Sequence, residues 1–182
     1  MENVSTLPRS APLTAADLET MPDDGHRYEL LDGSLIVTPA PWMIHQLLSG
    51  NLFILLRQAA ASELVVLTAP LDVALNDLTV LQPDVLVALK TSFTECNLPV
   101  APLLAVEILS PSTRAIDLGA KKLRYESAGC PNYWVIDPDE PSITAWQLVD
   151  GSYGEPTRRT GGESFKSDSP FPVSFTPASL LG

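Results

Sequence analysis

Residues 103–125, LLAVEILSPSTRAIDLGAKKLRY, place a carboxylate in the middle of a run that is otherwise too apolar to have a wet face. Residues 103–109 read as a buried strand, and an ionisable side chain there costs on the order of several kcal/mol unless it is paired or bound to a metal. Glu107 must therefore have a partner. A Ser-Pro-Ser-Thr turn follows at 110–113. Residues 116–128 then read as a helix, ended by Gly129 and Pro131 in the expected order. Asp117 and Lys121 are four apart on that helix, so both project from one face.

At 182 residues the chain is long enough to bury a real core. It is expected to comprise a loose tail over residues 1–12 and a single domain over 13–182. No run approaches the roughly 18 apolar residues that span a bilayer, and the amino terminus has neither the basic start nor the apolar core of a signal peptide. A cytoplasmic protein with no membrane partner is expected. Cys96 and Cys130 lack metal-ligand spacing and read as structural or incidental thiols. The formal net charge of −11 repels nucleic acid over most of the surface. Arg114, Lys121, Lys122 and Arg124 nevertheless cluster around a single acid, Asp117, and a local basic face can outweigh the global deficit within a Debye length of about 8 Å.

Thr14 is placed to cap a short helix, with Asp17 three residues on. Two β-prone runs then meet at Asp32-Gly33, a strong hairpin signal, with Glu29 on the first arm. Residues 44–61 form the first long helix, with Ile44, Leu47, Leu48, Leu52, Leu55, Leu56 and Ala59 on one stripe. His45 lies at its amino-terminal end. Residues 63–68 and 71–75 read as strands interrupted at Pro70, and 80–89 as one further strand with an irregularity at Pro83-Asp84. Strands are expected at 132–137 and 142–148. The remaining chain should end in a loosely packed segment around Phe165, Phe171 and Phe175. A helix, a mostly β run, a helix and a return to strands describes an α/β or α+β layer with a mixed central sheet flanked by helices.

Three acids stand where an inert core would not have them: Glu29, Asp84 and Glu107. If the strands of Asp84 and Glu107 are neighbours, their carboxylates converge, and both stay ionised only with a cation between them. Hard oxygen ligands of this kind suit Mg²⁺ or Mn²⁺. A lysine beside such a metal can orient an attacking water and steady charge on a phosphate. The plainer reading makes Asp117 and Lys121 an exposed pair worth a few tenths of a kcal/mol, and His45 a partly exposed helix-start residue.

In combination, Tyr28-Glu29-Leu30, Asp32-Gly33, His45, Pro83-Asp84, residues 107–113 (EILSPST), Asp117 with Lys121, Tyr125, Gly129 and residues 133–138 (YWVIDP) resemble the Uma2 family, also called DUF820, of the PD-(D/E)XK restriction-endonuclease-like superfamily. The resemblance covers roughly residues 14–150. It implies a restriction-endonuclease-like mixed sheet with an N-terminal hairpin and extra C-terminal strands. It also implies Asp84 and Glu107 as metal ligands and Glu29 as an additional acid lining the site. The superfamily's plain pattern has a lysine two residues after the second acid, where this chain has Leu109. The resemblance makes Lys121, on the following helix, its replacement. His45 matches a family position without an assigned role.

The expected function is a Mg²⁺- or Mn²⁺-dependent endonuclease acting on nucleic acid, with DNA as the expected substrate. In it Asp84 and Glu107 hold the metal, and Lys121 positions the attacking water. Arg114, Lys122 and His45 are the candidate substrate contacts. Two alternatives stay open: a nuclease-fold module that binds or assembles without turnover, and a metal-dependent hydrolase of a smaller phosphorylated substrate. The Ser110–Thr113 hydroxyls read first as turn and helix-cap groups, with phosphate contact as the sharper reading. A homodimer is expected, paired through the edge after Trp146 or the aromatic carboxyl-terminal segment.

Overall fold

The computed structural model describes residues 11–182, so most of the expected tail lies outside the described residues. The chain opens with helix α1 (Ala15–Leu18) and the hairpin β1 (Arg27–Leu31) and β2 (Ser34–Thr38), then the long helix α2 (Met43–Ala59). Six strands follow: β3 (Leu64–Thr68), β4 (Asp72–Asn76), β5 (Thr79–Leu81), β6 (Val85–Leu89), β7 (Asn97–Leu98) and β8 (Leu104–Ile108). A continuous helix, α3, runs from 114 to 127, with a π-helical turn at Asp117–Lys121. The remaining strands are β9 (Asn132–Asp137), β10 (Ser142–Val149), β11 (Ser152–Tyr153), β12 (Thr157–Thr160), β13 (Phe165–Ser167) and β14 (Val173–Phe175).

Two sheets carry the fold. One has the order β2-β1-β5-β4-β7, and the larger has the order β11-β10-β9-β8-β6-β3 with β12 also on β10. The larger sheet is mixed: β8 and β9 are parallel, whereas β6 meets β8 and β3 antiparallel. The mixed α+β architecture read from the sequence is therefore present. The single strand expected at 80–89 is a correction: it is divided between the two sheets, β5 in one and β6 in the other. Pro83 has no N–H for a ladder, so the chain leaves one sheet there and enters the next.

Side-chain alternation on the larger sheet separates two layers. Val85, Val87, Leu104, Val106, Ile108, Trp134 and Ile136 pack under α2, whereas Leu86, Ala88, Ala105, Tyr133 and Val135 meet Tyr125 of α3 and Val73, Leu81 and Leu98 of the smaller sheet. Glu107, on the alternate face of β8, thus points into the layer between the two sheets. The seam of α2 is Leu48, Leu52 and Leu56. Leu47 and Ala59, expected on that seam, face outward instead. Leu47 is turned about 100° from Leu48 around the helix axis, off the seam that i, i+4 spacing defines.

The hairpin forms as expected, with Asp32 (φ 53°) and Gly33 (φ 75°) both left-handed as its tight turn demands. At α1 the expected capping box is present, and within it the Asp17 carboxylate accepts from the Thr14 N–H at 2.8 Å and the Thr14 hydroxyl at 2.9 Å. The carboxyl-terminal segment is not loosely packed. Phe165 and Phe175 are buried, with ring centroids 5.1 Å and 6.4 Å from Trp134, and Phe171 joins the same core. Sparse aromatics separated by Gly, Ser and Pro gave no periodic signal, because the burial follows from tertiary packing alone. The same burial removes those aromatics from the surface through which pairing was expected, and beyond Trp146 the strand β10 pairs with β11. Cys130 is buried and Cys96 exposed, and both are free. Among the described residues no helix is long and apolar enough to cross a membrane.

Candidate active site

The antiparallel ladder pairs Val85 with Val106, so one step further the chain carries Asp84 alongside Glu107. The backbone fixes that approach directly, since the Ile108 N–H donates to Asp84 Oδ2 at 2.7 Å. Glu29 arrives from the smaller sheet. It is buried, and its Oε1 accepts the Gln82 N–H at 2.8 Å, so β1 is locked to the loop before Asp84. From α3, the π-helical turn directs Asp117 and Lys121 into the same layer, a distortion of a kind frequent at functional sites.

Lys121 is the hub. Its Nζ lies 2.9 Å from Glu29 Oε1, 3.4 Å from Glu107 Oε1 and 3.5 Å from Asp117 Oδ1, with the side chain only 1% exposed. The pair read at four-residue spacing is therefore buried, not exposed. Burial would strip the lysine of its proton, but Glu107, Glu29 and Asp117 outweigh it and raise the pKa above the ordinary value. Glu107 is pushed the other way from a usual carboxylate: burial raises its pKa, and the neighbouring charges of Asp117, Asp84 and Glu29 add to the effect against the opposing pull of Lys121. Asp117 is raised for the same leading reason, and its Oδ1 is buried without a hydrogen bond.

Asp84 has a different environment. Its Oδ1 takes a hydrogen bond from Arg27 at 2.9 Å, and its Oδ2 lies 3.0 Å from His45 Nε2. Burial opposes ionisation, but the His45 hydrogen bond, the Arg27 charge and the Ile108 N–H hold the carboxyl well below the usual range. Arg27 was not legible as a site residue, although one signal was present. It stands two positions before Glu29 on the same strand, and period-two alternation puts both on one face. His45, in the first turn of α2, is brought beside Asp84.

Asp84, Arg27 and His45 open onto a cleft of about 1300 Å³, bordered also by Ser49, Gln82 and Ser112. Glu29, Glu107, Asp117 and Lys121 are not on its wall and lie behind it in the buried layer. Two expected substrate contacts are engaged elsewhere. Arg114 pairs with Asp137 at 2.7 Å, and Lys122 Nζ stands 5.0 Å from the centroid of the Trp146 ring. Ser110 and Thr113 bond each other at 2.9 Å, the turn chemistry expected of them, while both also border the cleft.

The charges do not balance within the layer. Four buried carboxylates, Glu29, Asp84, Glu107 and Asp117, face two permanent cations, Arg27 and Lys121. Fully ionised, they leave a deficit equal to the charge of one divalent cation. Among the described residues no three His, Cys, Asp or Glu side chains form a ready-made cage. Mg²⁺, however, is commonly held by one or two carboxylates with waters completing its shell. The donor set and the charge deficit fit such an ion.

The mixed α+β architecture is a restriction-endonuclease-like fold. The Uma2 family, described as "Putative restriction endonuclease", matches residues 15–180, and the chain belongs to that family. A solved structure of "a putative nuclease belonging to DUF820" from Anabaena variabilis ATCC 29413 has the same fold, with a TM-score of 0.76 and 18% identity. The alignment covers 94% of this chain and 100% of the Anabaena chain. No curated protein matches the sequence.

Proposed function

We propose that this chain is a metal-dependent nuclease that hydrolyses phosphodiester bonds, with DNA as its substrate. The observation that carries the reading is the convergence of Glu29, Asp84, Glu107 and Lys121 from two sheets and a helix, beside a cleft floored by Asp84. Asp84 and Glu107 would hold Mg²⁺ or Mn²⁺. The bound ion would supply Lewis-acid polarisation of a phosphoryl oxygen and a more acidic water. Lys121, kept protonated by its carboxylate neighbours, orients the attacking water and donates to developing negative charge. Glu29 fixes the lysine, and Arg27 and His45 fix Asp84, so the reacting groups are held before substrate arrives.

A non-catalytic binding module is the second reading. It is favoured by the complete engagement of Asp84 with Arg27, His45 and the Ile108 N–H, and by the formal net charge of −11. Incubating the full chain with plasmid and single-stranded oligonucleotides in Mg²⁺ or Mn²⁺, alongside Asp84→Ala, Glu107→Ala and Lys121→Ala, separates the two. Cleavage by the parent and its loss in all three variants is expected. No cleavage by the parent, or equal cleavage by every variant, rejects the nuclease reading.

A further inference from the structure

On the outward face of α2, the longest helix of the fold, Met43 (76% exposed), Leu47 (37%) and Ile54 (52%) are exposed apolar side chains, and Trp42 (66%) stands just before its first turn. At about 100° per residue, Met43, Leu47, Gly50 and Ile54 fall within an arc of about 60° around the axis, opposite the buried seam. Their spacing of four, three and four is that of a helix-pairing stripe. A Cβ added at Gly50, which also borders the cleft, would meet nothing within 4 Å, so this position is a gap in the stripe.

The order of sizes identifies what fills the gap. Read in both directions from a point between Leu47 and Gly50, Met43 corresponds to Ile54 and Leu47 to Gly50. A second α2 running antiparallel would therefore place a large side chain against a large one at each end, and leucine against glycine beside the centre. This self-complementarity is what a twofold interface requires. The charge distribution agrees: α2 contains no acid and one permanent charge, Arg57, in a chain of formal net charge −11. Pairing these helices therefore brings no acid of one α2 against an acid of the other.

We infer that the protein forms a twofold dimer through antiparallel packing of α2 against α2 of a second copy, with Leu47 seated over the partner subunit's Gly50. This surface differs from both surfaces the sequence pointed to. The inference does not depend on nuclease activity. His45, Ser49 and Gly50 border the cleft from the same helix, so the axis relating the helices also relates the two clefts.

Sedimentation equilibrium of the full chain across a dilution series tests the pairing. The expected result is a mass approaching twice the 19.6 kDa of one chain, falling to one chain in Leu47→Arg and in Gly50→Leu, with circular dichroism and melting showing both variants folded. In a Cys96→Ser background, mild oxidation should cross-link Met43→Cys/Ile54→Cys into a covalent dimer and leave Met43→Cys alone uncross-linked. A one-chain mass for the parent at every concentration overturns the inference. So does a dimer that survives both substitutions, or cross-linking by Met43→Cys alone.

Discussion

Lys121 Nζ and Glu29 Oε1 lie 2.9 Å apart, although 92 positions separate the two residues in the chain. The contact ties the π-helical turn of α3 to the first strand of the smaller sheet. It also closes the layer in which Glu107 is buried. Removing the lysine leaves Glu29, Glu107 and Asp117 facing one another without their shared cation. Breaking a buried pair in this way costs about 3–5 kcal/mol. Lys121→Met should lose that much in urea denaturation at neutral pH without added metal. The double variant Glu29→Gln/Lys121→Met should recover part of it, because one unpaired charge has gone. Independent, additive losses would show that the two groups do not interact.

The raised pKa of Glu107 makes stability depend on pH in a definite direction. The folded state holds this proton at pH values where the unfolded chain has released it, so stability falls as pH rises from the ordinary value of 4.5 toward the raised one. Asp117 contributes with the same sign. Asp84 has the opposite sign: its depressed pKa supplies stability above the ordinary 3.8, lost as pH falls below it. Urea midpoints taken from pH 5 upward, without divalent cation, should decline more steeply for the parent than for Glu107→Gln. Parallel profiles would remove Glu107 as the titrating group.

The aromatic cluster of Trp134, Phe165 and Phe175 anchors the carboxyl-terminal segment to the larger sheet. Truncation of a buried phenylalanine typically costs about 3–5 kcal/mol. Phe165→Ala should therefore destabilise the whole domain by that amount, read as a shift of a single unfolding transition. A loss under about 1 kcal/mol would mean the segment packs as loosely as its composition implies.

Gly33 occupies the hairpin turn at φ 75°, and a Cβ there would collide with Pro12. Gly33→Ala combines a left-handed backbone penalty of about 1 kcal/mol with that clash. Its melting temperature should fall, whereas Gly129→Ala, at φ 79° with open space around it, should lose only the backbone share. Equal losses would show that Pro12 yields without cost.

Local chemistry made much of this structure readable. The Asp-Gly turn, the apolar strand around Glu107 and the seam of α2 each follow from propensity and periodicity, and each is present. The cluster was legible in its acids, because a carboxylate in an apolar strand implies a partner. It was less legible in its cations. Lys121 was marked by its spacing from Asp117, with the resemblance giving it the place of the missing lysine, and Arg27 lay hidden as an ordinary charged residue at the start of a strand. The division of residues 80–89 between two sheets and the burial of Phe165 depend on contacts between distant segments. No local pattern records those. Arg114 and Lys122 read as part of a basic face, but their partners, Asp137 and Trp146, come from strands whose placement only the fold determines.

A divalent cation would meet the deficit of positive charge around Glu29, Asp84, Glu107 and Asp117. Calorimetric titration of the full chain with Mn²⁺ at neutral pH measures this without requiring turnover. One ion per chain is predicted, weakened by more than about tenfold, or 1.4 kcal/mol, in Asp84→Asn and in Glu107→Gln. Lys121→Met should bind at least as tightly as the parent, since a competing positive charge is gone. Absence of binding by the parent, or binding that both carboxylate variants retain unchanged, would rule out a divalent cation held by Asp84 and Glu107.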